Sequence, residues 1–250
     1  MHSVTAPEVE ARHLYLEQSK LEERLETHQE LVIWDVGLGA ASNAMAVIQE
    51  HTKKSQTKNS ITILSFENDL DSLKLALDNT EAFPHLSHPA PKELLTHGKW
   101  SSPEHKLTWK LIPGDFKDQF PQQRKPHVIY YDLYSSKRFP EHWSVELFAA
   151  LFEHCKGEPT QLITYTTSTA VRATLLVQGF TVCYGASAGP KESTTVVFND
   201  ETLALKLGFA PLGTEWLGRW ERSRARIPQG VSPEEVATFE VKIRQHKQFK

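Results

Sequence analysis

Cysteine is nearly absent from this sequence, with two residues in 250, Cys155 and Cys183, far apart along the chain. That scarcity excludes a disulfide framework and any cysteine-based zinc cluster. Long apolar runs are also missing, and none approaches the roughly 18 residues that would suggest a membrane span. The start, Met1 to Glu10, has neither the basic stretch nor the apolar stretch of a secretory signal, so a reducing, cytoplasmic setting is expected. Positive charge is in short supply: 28 Lys and Arg stand against 31 Asp and Glu, a net charge of −3. General affinity for nucleic acid needs a basic surplus, so any RNA contact must be local. The candidates are Lys53, Lys54 and Lys58, then Lys137 and Arg138, then Arg219, Arg222, Arg224 and Arg226. Histidine is plentiful, but His85 and His88 stand between prolines without a third ligand, and no metal is expected. Ser135 and Ser136 lack the glycines of a nucleophile elbow.

What is present reads as one soluble α/β domain with appendages, since 250 residues at 39% hydrophobic can bury a full core. Residues 8–26 repeat apolar positions at three and four, which predicts a helix. The run Leu31–Val36 closes on Gly37 and is followed by the Ala-, Met- and Ile-rich stretch 40–51, which predicts buried strand, glycine turn, helix. A second strand at 61–66 and a helix at 69–79 repeat the unit. Residues 81–105, with four prolines, are expected to be an irregular insertion with at most a helical turn at 92–96. Strands at 107–112, 128–132 and 162–165 alternate with helices at 144–155 and 170–178, which predicts a mostly parallel, doubly wound sheet. The last two strand-like runs, 180–184 and 194–198, have no helix between them and must pair antiparallel. Dinucleotide dehydrogenases normally finish with parallel strands, whereas a terminal antiparallel hairpin marks the common methyltransferase fold. The expected organisation is a helical flank at 1–30, the α/β domain at 31–200, and a helical extension at 201–250. In that extension Ser232 and Glu235 form a candidate capping box.

Candidate ligand-binding residues cluster at predicted strand ends. Asp35, Gly37, Gly39 and Asn43 lie where the first strand turns into a helix, and the two glycines let backbone approach a ligand closely. The third glycine of a dinucleotide fingerprint is Ser42 here. Glu67 ends the second strand, where a carboxylate can accept hydrogen bonds from both hydroxyls of a ribose; that position serves NAD and S-adenosylmethionine folds alike. Asp115 follows the third core strand, placed for an adenine amino group. As bare carboxylates, all three acids could instead be caps or loop anchors.

Several motifs together resemble the methyltransferase domain of the MnmC family. Asp35-Val36-Gly37-Leu38-Gly39 with Asn43 resembles its cofactor loop, with Ala41 in place of a glycine, and Ser65-Phe66-Glu67 resembles its ribose-binding strand end. Tyr131-Asp132-Leu133-Tyr134, then Pro140-Glu141, Trp143 and Leu147-Phe148, is similar to its active-site stretch, with Leu133 and Tyr134 replacing Gly-Phe. Thr164-Tyr165-Thr166, Val171-Arg172 and Gly179-Phe180 match a further run, and Gly189-Pro190-Lys191-Glu192 falls where the family has a basic hairpin loop.

The resemblance implies a class I, Rossmann-like, S-adenosyl-L-methionine-dependent methyltransferase acting on 5-aminomethyl-(2-thio)uridine at the tRNA wobble position. It also implies the anticodon region of tRNA as partner and no membrane. Asp132 and Tyr134 are then the catalytic candidates. Asp35, Gly37, Gly39, Asn43, Glu67 and Asp115 would hold the cofactor, and Lys137, Arg138, Trp143 and Lys191 would hold the substrate. Another amine or RNA acceptor, or a noncatalytic nucleotide-binding module, remains compatible with the same residues.

Overall fold

The computed structural model describes residues 7–53, 58–187 and 193–250, and the chain packs as two compact units, Met1–Asp132 and Leu133–Lys250. In the first unit, strands β1 (Glu30–Val36), β2 (Ser60–Glu67), β3 (Lys99–Ser102), β4 (Leu107–Pro113) and β5 (Val128–Tyr131) lie in the spatial order β3-β4-β2-β1-β5. All pairs are parallel except β3 with β4. Residues 31–36 of β1 are fully buried, as expected of a strand covered on both faces. Their side chains feed an aromatic cluster in which Trp34 meets Phe66 at 5.2 Å and Phe116 stacks on Phe120 at 5.1 Å.

Register does the work that matters for function. Val36 pairs with Phe66 and with Tyr131, and Glu67 pairs with Pro113. Beyond those ends the amides of Gly37, Gly114 and Asp132 still donate to Phe66, Glu67 and Val36, at 3.1, 3.0 and 2.9 Å. Three loops are thereby pinned side by side at the carboxyl edge. The chain leaves β1 on one side for β2 and β4 and returns on the other for β5, so this edge includes a topological switch point, where ligands of open α/β sheets bind.

The predicted first helix is segmented into α1 (Pro7–Ala11), a π-turn at Arg12–Leu16, α2 (Glu17–Ser19) and α3 (Leu21–Thr27). Lys20 breaks it in a left-handed conformation, φ 51°. The broken path places Tyr15 5.4 Å from Tyr130 and Ser19 at hydrogen-bond distance from the Tyr130 hydroxyl, 3.1 Å. Arg24 from α3 donates to the His127 carbonyl at 3.0 Å. Helices α4 (Ser42–Thr52) and α5 (Asp71–Leu77) follow expectation. Residues 81–105 do not: they hold helix α6 (Pro89–His97) and the edge strand β3. Of the four prolines that suggested a loop, Pro89 and Pro91 occupy the first turn of α6, where no intrahelical N–H bond is lost, and His88 caps that turn through Nδ1. A short helix, α7 (Phe116–Gln119), begins after Asp115.

The second unit contains β6 (Gln161–Thr164), β7 (Thr181–Tyr184) and β8 (Thr195–Phe198), with β8 between and antiparallel to both, as the hairpin reading required. Helices α8 (Val145–Cys155) and α9 (Thr169–Val177) start on the side-chain caps Ser144 and Ser168. The helices α10 (Glu201–Lys206), α11 (Thr214–Arg222) and α12 (Val236–Arg244) belong to this unit. Gln248 bonds the backbone of Val182 and Leu212, and Trp216 stacks on Phe249 at 6.1 Å. The Ser232–Glu235 capping box forms, with the carboxylate accepting from Ser232 N and Oγ at 3.0 and 2.8 Å.

Candidate active site

The glycine turn after β1 is built around positive φ. Gly37 has φ 90° and Gly39 φ 50°, and Ala41, standing where the resembling family has glycine, adopts φ 61° with its methyl fully buried. A left-handed alanine costs about 1 kcal/mol, so the surrounding structure imposes the turn on it. Space is open above the turn: a Cβ placed on Gly39 would meet no heavy atom within 4 Å. A ligand can therefore approach this backbone.

Glu67 secures the same turn. Its Oε2 accepts from Gly39 N at 3.2 Å, while Oε1 accepts from Asn68 N and Asp69 N at 3.0 and 3.1 Å. Three of the carboxylate's roughly four acceptor positions are used, which leaves capacity for a ligand hydroxyl. Asp115 caps α7 through Oδ1 to Lys117 N at 3.1 Å, and Lys117 Nζ stands 3.5 Å from Oδ2. Both acids serve the anchoring roles that the residues alone allowed, at the edge where a nucleoside would lie.

Asp35 is entirely buried, so in this arrangement it supports the turn from beneath instead of reaching the crevice. Ser65 Oγ donates to its Oδ2 at 2.7 Å, and Trp109 Nε1 donates to Ser65 Oγ at 2.8 Å. Its other oxygen, Oδ1, is sealed from solvent with no hydrogen bond among the described residues. Burial first, then the charges of Asp132 and Glu67, raise its pKa to about 7 against hydrogen bonds from Ser65 and Asn43 that lower it. Three acids thus share one edge, a setting that suits a ligand bearing positive charge. Asn43, at the start of α4, donates from Nδ2 to Asp132 Oδ2 at 3.0 Å.

Ser65, Trp109 and His85 were not singled out as site residues by sequence. Ser65 could have been found from register, because it pairs with Asp35. His85 is buried beneath the turn: Nε2 stands 2.8 Å from the Ala40 carbonyl, and Nδ1 stands 2.9 Å from Glu8 Oε1. It braces the loop, and no His, Cys, Asp or Glu group able to hold a metal occurs among the described residues.

In the second unit, Tyr134 is 59% exposed, 5.3 Å from Phe139, with the Arg138 guanidinium 5.0 Å above its ring. Lys137 is exposed beside them. Trp143, expected to touch substrate, is 4% exposed, and its indole donates to the Tyr134 carbonyl at 2.9 Å, so it holds this loop from inside. Tyr165 donates to the Leu133 carbonyl at 3.2 Å to the same effect. Of the basic run near the end, Arg226 is engaged by Glu240 at 2.8 Å. Lys191 and its hairpin loop lie outside the described residues, as does Lys54.

Residues 78–199, just under half of the chain, match the S-adenosyl-L-methionine-dependent methyltransferase family. No curated protein sequence matches. Among solved structures, MnmC2 from Aquifex aeolicus superposes with a TM-score of 0.67 at 19% identity, over 97% of this chain and 77% of that one. CalS10, an amino pentose methyltransferase from Micromonospora echinaspora, gives 0.43 at 12% identity over 80% and 98%. TrmN from Thermus thermophilus gives 0.42 at 11% over 74% and 52%.

The fold is doubly wound and Rossmann-like, and the match over residues 78–199 makes the chain similar to S-adenosyl-L-methionine-dependent methyltransferases, a similarity that supports S-adenosyl-L-methionine as the cofactor. It shares the fold of MnmC2 along nearly its whole length.

Proposed function

We propose that this methyltransferase transfers methyl to the aminomethyl nitrogen of 5-aminomethyl-(2-thio)uridine at the wobble position of tRNA. The observation that carries the reading is the held carboxylate of Asp132, fixed by Asn43 beside the cofactor turn. The motif resemblance around Tyr131–Tyr134, with the MnmC-like fold, supplies the acceptor.

An alkylamine with a lysine-like pKa near 10.4 is only about 0.04% neutral at pH 7, a penalty of about 4.6 kcal/mol for exposing its lone pair. Bound S-adenosylmethionine supplies the electrophilic methyl group. The protein must position the amine and take its proton, and Asp132 is the group to do both. A carboxylate alone also stabilises the ammonium form, so desolvation must oppose it. Tyr134 and Phe139, close along the chain, offer apolar faces for a flipped base, and Lys137 and Arg138 offer phosphate contacts. Gly37, Gly39, Glu67 and Asp115 would hold the cofactor, with Asp35 supporting their turn from below.

Nucleoside mass spectrometry of tRNA from a deletion strain tests the proposal: the unmethylated aminomethyl nucleoside should accumulate. An unchanged nucleoside profile would sink it. The replacement of Gly-Phe by Leu133-Tyr134 favours, as second reading, a different RNA or amine acceptor. Methyl transfer by purified protein to other RNAs, with none to wobble-unmethylated tRNA, would establish that reading instead.

A further inference from the structure

Arg172 on α9 is 5% exposed, yet its hydrogen-bond partners among the described residues are all neutral. Nε donates to Thr195 Oγ1 at 2.8 Å, and Nη2 donates to the Thr194 carbonyl at 2.8 Å and Ser193 Oγ at 3.3 Å. No carboxylate forms an ion pair with it among the described residues. Its Nη1 makes no hydrogen bond among the described residues. Taking a guanidinium out of water is costly unless an anion pairs with it. The burial lowers its pKa to about 10, which leaves it charged at neutral pH, and the neighbouring cation that lowers it further is Arg219.

The surroundings indicate which anion this guanidinium suits. The Arg172 guanidinium lies 5.4 Å above the ring of Tyr184, which is 38% exposed on the edge strand β7. The start of α11 is fixed beside that strand by the Cys183–Pro211 bridge and by Leu212 N donating to Val182 O at 2.8 Å. From α11 come Arg219 and Arg222, both exposed and three residues apart. Neither makes an ion pair among the described residues, whereas Arg226 is neutralised by Glu240. Arg172, anchored and without a carboxylate partner among the described residues, stands with Arg219, the open face of Tyr184 and the Ser193 hydroxyl, and Arg222 follows Arg219 by about one helical turn. Fork-shaped donors match phosphate oxygens, and an aromatic face beside cations is the arrangement that single-stranded nucleic acid favours.

We propose that Arg172, Arg219 and Arg222, with Tyr184, form a binding site for a phosphodiester group of the RNA substrate, in the second unit. The site deepens the tRNA reading above and rests on it. It requires no general basic surplus, which the sequence lacks.

The test uses the full-length protein, unmodified bulk tRNA and inorganic phosphate. Binding of tRNA is measured by fluorescence anisotropy across a salt series for wild type and R219A/R222A. The double variant should bind about tenfold more weakly at low salt. Its slope of log K against log salt should be shallower by about 1.5, the loss of two phosphate contacts. Its S-adenosylmethionine affinity should stay within about twofold, since the cofactor turn is untouched. In a thermal-shift titration, inorganic phosphate should stabilise wild type but not R172K, which keeps the charge and loses the fork.

Identical affinity and slope in R219A/R222A would overturn the assignment. So would stabilisation by phosphate with no effect of the double substitution on RNA, which would mark a small-anion site. If R172K fails to fold, the double variant decides alone. Methyl transfer to tRNA with binding unaffected by the double substitution would remove this site and leave the functional proposal standing. Binding that depends on these arginines, with no transfer to tRNA, would do the reverse.

Discussion

Asn43 Nδ2 donates to Asp132 Oδ2 across 3.0 Å, so the first turn of α4 holds the carboxylate that ends β5. Helix and strand end are far apart in sequence, and the bond ties the helix after the glycine turn to the proposed proton acceptor. Asp132→Ala should lower methyl transfer at least a hundredfold, within the range of general-base loss, while S-adenosylmethionine affinity by calorimetry changes less than about threefold. Asn43→Ala should lower single-turnover rate by about tenfold, because the carboxylate remains but is no longer oriented. Collapse of cofactor affinity in Asp132→Ala would instead assign Asp132 to the cofactor pocket.

Asp35 makes stability depend on pH. Its folded pKa, about 7, lies above the ordinary 3.8, so the folded state holds the proton more tightly than the unfolded one. The associated stability is complete below pH 3.8, declines as pH rises through about 7, and is then gone, a contribution of up to roughly 4 kcal/mol. Urea denaturation at intervals from pH 4 to 8 should show this decline, and Asp35→Asn should flatten it. A cationic ligand favours the ionised carboxylate, so S-adenosylmethionine should bind more tightly as pH rises toward 7, with proton release detectable in buffers of different ionisation enthalpy.

Gly39→Ala and Gly98→Ala form a matched pair. Both glycines have positive φ, 50° and 70°, and both would place a methyl in open space. Each substitution should cost about 1–2 kcal/mol of stability through backbone strain. Only Gly39→Ala should weaken S-adenosylmethionine binding, by tenfold or more, because only its methyl lies where the ligand approaches. Equal affinities in the two variants would take the turn out of the cofactor site.

Trp143→Phe removes the indole bond to the Tyr134 carbonyl, a loss of about 1 kcal/mol in stability. The Tyr134–Phe139 corner should loosen, raising KM for tRNA severalfold while leaving cofactor affinity unchanged. Steady-state kinetics with varied tRNA separates this from a direct substrate contact: Tyr134→Ala should raise KM further with no change in melting temperature.

Most strands were legible because burial on both faces leaves continuous apolar runs, as in residues 31–36, and because a hairpin without an intervening helix admits one pairing. Helix α6 was hidden by Pro89 and Pro91, which break a helix everywhere except in its first turn, the place they occupy. The break at Lys20 was invisible since the apolar repeat of residues 8–26 continues through it; contacts with Tyr130 and His127 select the bent path. At the site, the types and strand-end positions of Asp35, Glu67, Asp115 and Asp132 could be read directly, but their partners could not.

Sequence by itself determined the class of fold and which acids stand at strand ends, because periodicity and glycine placement are local properties. Tertiary structure alone decided that Asp35 is sealed beneath the turn, that Trp143 is a strut, that Arg226 is neutralised, and that Arg172 is buried without a carboxylate partner among the described residues. Each depends on desolvation by residues distant in the chain, and desolvation sets the cost and protonation of a polar group.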